Sequence, residues 1–239
     1  MAVFKSWKQY RKFSHFVMRE SRYILDAKNR EFLQTVVATS EKRKTTLMKG
    51  DELWRAQLGP VDGKTAFRPK RMVPLADRAH EGRVNPKGIP CLYCSTEKKT
   101  AMTETRPWIG SFVSLAKFVL LRDLTVVDCF SERTWIVPIF SVLAGKEPKP
   151  AEREKAVWAH INWAFSEPVT RNDDLAGYAP TQVLAETFRS AGYDGIVYGS
   201  KLGGGLNVAI FDLAAAKCTG CDLYSVDAVE PKFHHKRTP

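Results

Sequence analysis

The chain has 239 residues, of which 44% are hydrophobic, so it can bury a core without disulfides or structural metals. No apolar run approaches the roughly 18 residues that a membrane helix requires, and the first eight residues contain no apolar signal-peptide core. We therefore expect a globular, cytoplasmic protein without a membrane partner.

The net charge of +11 is concentrated at the start of the chain. Residues 1–50 contain 12 Lys or Arg against 4 Asp or Glu, which leaves 25 against 22 for the remainder. Such a basic segment is typical of contact with an acidic protein, a nucleic acid or a polyphosphate surface, but also of an ordinary solvated helix face. The charge alone leaves these alternatives open.

The first predicted element is an amphipathic helix over residues 19–37, which the charged run at 41–44 ends. Its apolar residues recur at a spacing close to 3.6, namely Leu25, Phe32, Leu33, Val36 and Val37. A short strand is predicted over residues 51–57. Residues 59–88 are rich in Pro, Gly and Arg and show no periodicity, so we predict an ordered loop that lies over a site.

The middle of the chain predicts short strands and helices at irregular intervals. Strands are predicted over residues 89–95, 112–121 and 124–130. A helix over 97–105 lies between the first two, and a helix over 151–165 follows the third.

In the last third, Thr181 is predicted to cap a helix that ends at Gly192. Strands are predicted over residues 195–198 and 207–211, joined by the glycine-rich segment 200–205. Because the elements lack the regular βαβα alternation of a doubly wound sheet, the sequence favours an α+β fold.

Five cysteines comprise two Cys-x-x-Cys pairs, Cys91/Cys94 and Cys218/Cys221, together with Cys129. More than a hundred residues separate the pairs, whereas paired motifs that bind structural zinc lie roughly 15–20 residues apart. Residues three apart in a strand also face opposite sides, which is unfavourable for chelation. We predict neither a metal site nor a disulfide framework.

The most informative motif begins with a Gly-Arg-Val-Asn-Pro-Lys-Gly turn at residues 82–88. A strand containing Tyr93 follows, and then Ala-Met-Thr-Glu at 101–104. A second block extends from Pro180 to Phe211 and includes Tyr-Gly-Ser before the glycines. Together the two blocks resemble the RES-domain family, which is named for its Arg, Glu and Ser and is found as toxins of bacterial toxin–antitoxin pairs. The resemblance extends over about residues 50–212.

The resemblance implies a fold related to ADP-ribosyltransferase toxins, with an α+β core of short mixed and antiparallel strands and flanking helices. It divides the chain into a basic helical N-terminal segment, residues 1–49, and a RES domain, residues 50–239, with a short C-terminal extension. The implied activity is cleavage of the nicotinamide–ribose bond of NAD, by phosphorolysis or hydrolysis.

NAD is then the substrate, inorganic phosphate is the co-substrate of phosphorolysis, and no cofactor is expected. The implied partner is a helix-turn-helix antitoxin, with nucleic acid contacted only through that complex. The resemblance leaves a homo-oligomer open.

The same resemblance implies site residues. The family's first arginine follows an aromatic residue, as Arg55 does, whereas Arg71 is an alternative because residues 70–74 also resemble the start of a core strand. Ser200 fits the family's serine, and Thr181 is the alternative hydroxyl. Ser200 and the glycines after it also offer a hydroxyl and N–H groups that suit a phosphate.

Two positions depart from the family pattern. Val84 replaces the aromatic residue that often follows the turn arginine, and Ala56 replaces a tyrosine of some members. We expect both changes to loosen the nicotinamide pocket.

The implied reaction gives each residue type a role. Positive charge develops at the anomeric carbon, so a fixed carboxylate, assigned to Glu104, stabilises the transition state. Arg55 and Arg83 suit the pyrophosphate, because a guanidinium bonds phosphate oxygens in pairs. Tyr93 is expected to stack on a ring of NAD, and Asn207 to bind a ribose hydroxyl.

Two other functions remain open. The same fold would transfer ADP-ribose to a protein side chain, or the chain would be a non-catalytic, basic nucleic-acid-binding module. The module predicts salt-sensitive binding and no nicotinamide release. The absence of aromatic residues interleaved with the basic charge argues against it.

Overall fold

The computed structural model describes residues 2–75, 78–131, 146–167 and 175–230. These ranges form a mixed sheet of eight strands and six α-helices, which is an α+β architecture. The strands are β1 (Lys44–Leu47), β2 (Glu52–Leu58), β3 (Leu92–Ser95), β4 (Phe112–Leu120), β5 (Leu124–Asp128), β6 (Gly195–Gly199), β7 (Leu206–Ile210) and β8 (Ala216–Ser225). The helices are α1 (Gln9–Arg19), α2 (Ala27–Ser40), α3 (Pro69–Met72), α4 (Lys98–Glu104), α5 (Pro150–Ser166) and α6 (Ala179–Ser190).

The order of the strands across the sheet is β1-β5-β6-β7-β3-β2-β4-β8. The β5–β6 pair is parallel, and the other neighbours are antiparallel. Strand β2 pairs with β4 along its whole length, from Glu52 to Leu58, but with β3 only at Trp54 and Ser95. The sheet therefore opens between β2 and β3 beyond that pair.

Two clusters of buried side chains pack on opposite faces of the sheet. Tyr198 and Ile196 belong to the cluster that contains residues of α1, α2, α5 and α6, whereas Val197 belongs to the other. This alternation is expected of a strand that is buried on both faces. It also separates two thiols, because Cys91 packs in the first cluster and Cys94 in the second.

The described ranges show neither a metal site nor a membrane span. They contain no group of three or more His, Cys, Asp or Glu residues that could hold a metal ion. No helix within them is long and apolar enough to cross a membrane.

The N-terminal segment forms two helices, so the prediction of one helix over residues 19–37 is wrong. Helix α1 ends at Arg19, and α2 begins after Asp26, whose carboxylate accepts a hydrogen bond from Asn29 N at 2.8 Å. This side-chain cap satisfies an N–H group of the first turn and fixes the start of α2.

Both N-terminal helices share a core with the rest of the chain. The rings of Phe13 and Phe32 lie 4.9 Å apart, in the same cluster as Trp158 and Phe188. Trp158 Nε1 also donates a hydrogen bond to Thr39 Oγ1 at 3.1 Å. Because β1 pairs with β5, the sheet itself extends across the boundary predicted at residue 50.

Four further elements differ from the predictions. Residues Pro69–Met72 form a short helix rather than the start of a strand, since Pro69 fixes a helical φ in the first turn. Helix α6 begins at Ala179, so Thr181 lies inside the helix and does not cap it. The sequence does not predict β1 or β8, because both carry exposed lysines and other polar residues.

We expect Phe13→Ala to lower the free energy of unfolding by about 3–5 kcal/mol, because it removes a fully buried ring from the shared core. The ring of Tyr23 is 96% exposed, so the control Tyr23→Ala should change stability by less than about 0.5 kcal/mol. Urea unfolding followed by circular dichroism measures both. A loss below about 1 kcal/mol for Phe13→Ala would show that the N-terminal helices add little to the core.

Candidate functional site

A cavity of about 180 Å³ lies where the sheet opens between β2 and β3. Its polar lining comes from β2, the 82–88 turn, β3, α4, β6 and β7. The polar residues include Arg55, Arg83, Tyr93, Glu104, Tyr198 and Asn207. The fold thus brings together side chains that are separated by up to about 150 residues of sequence, between Arg55 and Asn207.

Two hydrogen bonds hold the carboxylate of Glu104, the last residue of α4. Ser200 Oγ and Asn207 Nδ2 each donate to Glu104 Oε1 at 2.7 Å. Asn207 Oδ1 in turn accepts a hydrogen bond from Ser95 Oγ at 2.7 Å, which fixes the orientation of its amide. Glu104 Oε2 has no hydrogen bond to a described residue, so one oxygen is oriented while the other is available to a ligand.

The glycine-rich loop after Ser200 packs against α4. A Cβ atom at Gly203 would lie 2.5 Å from Thr100 Oγ1, so only glycine fits there without a shift. The N–H groups of Leu202 and Gly203 donate to Ser200 Oγ at 3.0 Å, and Gly205 N donates to Thr100 Oγ1 at 2.9 Å. These N–H groups are engaged within the protein, so they do not form the predicted phosphate cradle.

Arg55 places a guanidinium between the diverging strands. Its Nη1 donates to the carbonyl oxygen of Tyr93 at 3.0 Å, while its Nε is buried without a hydrogen-bond partner. Burial lowers the pKa of the Arg55 guanidinium, and the positive charge of Arg71 acts in the same direction. Arg55 forms no ion pair with the described residues, and a buried cation of this kind favours an anionic ligand.

A second cavity of about 560 Å³ adjoins the first and shares Arg55 and Tyr93 with it. Among the described residues, Arg71, Arg78 and His80 also line it, together with the acidic Glu81. Its size is within the roughly 300–1,000 Å³ of ordinary ligand pockets. The two cavities therefore form one basic site with a small compartment at Glu104 and a larger one at Arg71.

The turn before β3 is held by the hydroxyl of Tyr93. This hydroxyl donates to Asn85 Oδ1 at 2.6 Å and accepts a hydrogen bond from Val84 N at 2.9 Å. Gln182 Nε2 also donates to the carbonyl oxygens of Gly82 and Asn85, at 2.9 and 3.1 Å. These bonds fix the backbone next to Arg83 and attach the turn to α6.

Arg83 and Tyr198 also line the smaller cavity. Arg83 donates from Nε and Nη2 to the carbonyl oxygen of Glu167, at 3.1 and 2.9 Å. Burial raises the pKa of the Tyr198 hydroxyl, and a hydrogen bond with Arg83 opposes that shift. The sequence pattern does not single out Tyr198, although it lies two residues before Ser200.

The structure brings most of the predicted site residues together and separates one of them. Ser200 contacts Glu104, whereas Thr181 is buried in α6, where its hydroxyl donates to the carbonyl oxygen of Tyr178 at 2.9 Å. Arg55 lines both cavities, and Arg71 lines the larger one.

The two departures from the family pattern lie in different places. Ala56 lines the smaller cavity, where a shorter side chain leaves more space. Val84 is buried in the hydrophobic core beneath the helices, so the expectation that it loosens the pocket is wrong.

Comparison with known proteins identifies one family. A sequence model of the RES domain matches residues 52–230, a range that includes every residue of both cavities named above. Among curated proteins, none matches the chain.

Two solved structures are similar at low identity. In the crystal structure of the M. tuberculosis MbcT–MbcA toxin–antitoxin complex, one chain is 16% identical with a TM-score of 0.44, over 80% of this chain and 92% of that one. An anti-CRISPR protein is 12% identical with a TM-score of 0.29, over 76% of this chain and 96% of that one. Neither similarity carries a conclusion about function.

We expect Tyr93→Phe to lower the free energy of unfolding by about 1–3 kcal/mol, because it leaves Val84 N and Asn85 Oδ1 without their partner. Tyr224→Phe on β8 is the matched control, since no hydrogen bond of its hydroxyl to a described residue is lost. Urea unfolding of both variants measures the difference. Equal stability of the two variants would contradict the bridging role of the Tyr93 hydroxyl.

Proposed function

The chain belongs to the RES-domain family, and we propose on that basis that it is an NAD-degrading enzyme and the toxin of a toxin–antitoxin pair. The proposed reaction breaks the bond between nicotinamide and ribose. Nicotinamide leaves as a neutral base with the bonding electron pair, and an oxygen of phosphate or water bonds to the ribose carbon. The proposal includes a helix-turn-helix antitoxin that blocks the site.

The observation that carries the proposal is the fixed carboxylate of Glu104. Cleavage of this bond develops positive charge on the ribose, and a carboxylate that is already oriented stabilises that charge without reorganisation. Ser200 and Asn207 orient Glu104 through the same oxygen, Oε1. The other oxygen is then free to face the ribose carbon or the attacking oxygen.

The division of the site into two compartments supports a dinucleotide substrate. The smaller cavity combines the carboxylate with the aromatic rings of Tyr93 and Tyr198, which suits nicotinamide and its ribose. The larger cavity is lined by Arg71 and Arg78, and Arg55 lies between the two. A pyrophosphate at Arg55 would satisfy the buried Nε and place the adenosine in the larger compartment.

The first test is nicotinamide release from NAD by the purified protein, with and without inorganic phosphate. We expect release by the wild type and a loss of at least about 100-fold in kcat for Glu104→Gln, since one fixed charge-stabilising group contributes 10²–10³ in rate. Glu186→Gln, an exposed position on α6, is the matched control and should retain full activity.

The products distinguish the possible acceptors. The NAD is labelled in its ADP-ribose part. Label on the phosphate ester of ADP-ribose indicates phosphorolysis, label on free ADP-ribose indicates hydrolysis, and label on protein indicates ADP-ribosyl transfer. No release by folded wild-type protein, freed of any inhibitor, would contradict the proposal.

The two candidate arginines differ in the loss expected from replacement by lysine. Arg55→Lys should lower kcat/KM for NAD about 10- to 100-fold, because a hydrogen bond to a charged group contributes about 1.5–3 kcal/mol and lysine lacks the paired donors. Arg71 is exposed, and Arg71→Lys retains its charge, so a loss below about 10-fold is expected. Steady-state kinetics would measure both, and the reverse order would assign the family position to Arg71.

A further inference from the structure

Helix α1 carries a row of basic side chains along its solvent face. The residues of this cationic stripe are all exposed and recur three or four positions apart, namely Lys8, Arg11, Lys12, His15 and Arg19. The opposite side of the helix is buried, through Tyr10, Phe13 and Val17. Because residues at this spacing lie on one side of a helix, the stripe is a continuous surface.

The middle of the stripe has little neutralising charge. Helix α1 contains no Asp or Glu, and neither Arg11 nor Lys12 forms an ion pair with a described residue. His15 Nδ1 lies 3.6 Å from a carboxylate oxygen of Glu20. Lys5, just before the helix, is by contrast neutralised by Glu31 at 2.6 Å.

The surface extends beyond α1 into the loop that joins it to α2. Arg22 is exposed in this loop and Lys28 in the first turn of α2, and between them Tyr23 is 96% exposed. Eleven residues separate Lys8 from Arg19, so the stripe is about 16 Å long at a rise of 1.5 Å per residue. Consecutive phosphates repeat on the scale of several ångströms, so a stripe of this length reaches more than two of them.

We propose that the cationic stripe binds the phosphate backbone of a nucleic acid duplex. A row of exposed basic side chains on a helix that itself contains no Asp or Glu complements a regular line of phosphates, and such contacts require no base recognition. A protein partner would instead require a desolvated apolar centre. The exposed apolar side chains here, Tyr23 and Ile24, lie beyond one end of the stripe.

This binding is separate from the proposed reaction. No residue of the stripe lines either of the two cavities, and the whole stripe precedes residues 52–230, the range of the RES domain. The family resemblance implies contact with nucleic acid only through an antitoxin complex, whereas the proposed stripe would contact it directly.

The test uses the full-length protein and fluorescein-labelled 20-base-pair duplexes of DNA and of RNA. Fluorescence anisotropy between 50 and 300 mM salt gives the slope of log K against log salt, which is about −0.9 per phosphate neutralised. We expect a slope between about −2 and −4 for the wild type. The double variant R11A/K12A should reduce the magnitude of this slope by about 2, and it should weaken duplex binding at 100 mM salt at least 10-fold.

The control is K99A/K217A, which removes the same charge from exposed positions outside the stripe. Circular dichroism confirms that each variant is folded, and nicotinamide release should be unchanged in R11A/K12A. The proposal is supported if R11A/K12A weakens the binding of either duplex and the control variant does not. The duplex that binds more tightly identifies the source of the phosphates.

Three results would overturn it. The first is equal weakening of binding by both variants, which indicates only an effect of general charge. The second is no duplex binding at 50 mM salt. The third is tighter binding of polyglutamate than of either duplex. The last result would assign the stripe to an acidic protein. No nicotinamide release by the wild type would contradict the proposed reaction, but it would not affect the duplex-binding test.

Discussion

The hydrogen bond from Arg55 to the carbonyl oxygen of Tyr93 links the two halves of the sheet where their backbones separate. Strand β2 pairs with β4 over its full length, but it meets β3 at one residue pair. Beyond that pair β2 and β3 form no further ladder pair, and the Arg55 side chain instead donates a hydrogen bond to the carbonyl oxygen of Tyr93. Both cavities lie beside this bond, so the opening of the sheet creates the site.

The same arrangement leaves the site electrostatically incomplete. A guanidinium whose Nε is buried without a hydrogen-bond partner is unfavourable, and burial also lowers the pKa of Arg55. The nearby carboxylate, Glu104, is held by Ser200 and Asn207 rather than by an arginine. Under the proposed function, an anionic substrate accepts hydrogen bonds from the guanidinium of Arg55. The carboxylate of Glu104 then keeps its negative charge next to the reacting carbon.

Elements with a strong apolar periodicity are predictable from the sequence, whereas elements whose structure depends on tertiary contacts or on a single residue are not. Strand β4 and helix α5 follow the predicted ranges closely, because each has a long, regular apolar pattern. In contrast, Arg71 was a candidate because residues 70–74 resemble a strand, and a proline at position 69 makes them a helical turn.

The choice between Ser200 and Thr181 also required the structure. Thr181 begins a predicted helix and Ser200 follows a predicted strand, and both hydroxyls lie within the second motif block. Only the folding of the glycine loop onto α4 brings Ser200 to Glu104, and that contact depends on the small size of Gly203. Tyr198 was missed for a similar reason, since a buried strand tyrosine is ordinarily a core residue.

The N-terminal segment connects the basic charge of the sequence to the core. Tyr10, Phe13 and Val17 bury one side of α1 in the cluster that also contains Tyr198, a residue of the smaller cavity. The cationic stripe on the other side is therefore held by the same packing that supports the site. A helix that served only to cover the core would need a polar outer face but no particular sign of charge. The absence of any acidic residue from α1 is thus the feature that core packing leaves unexplained and that a polyanionic partner accounts for.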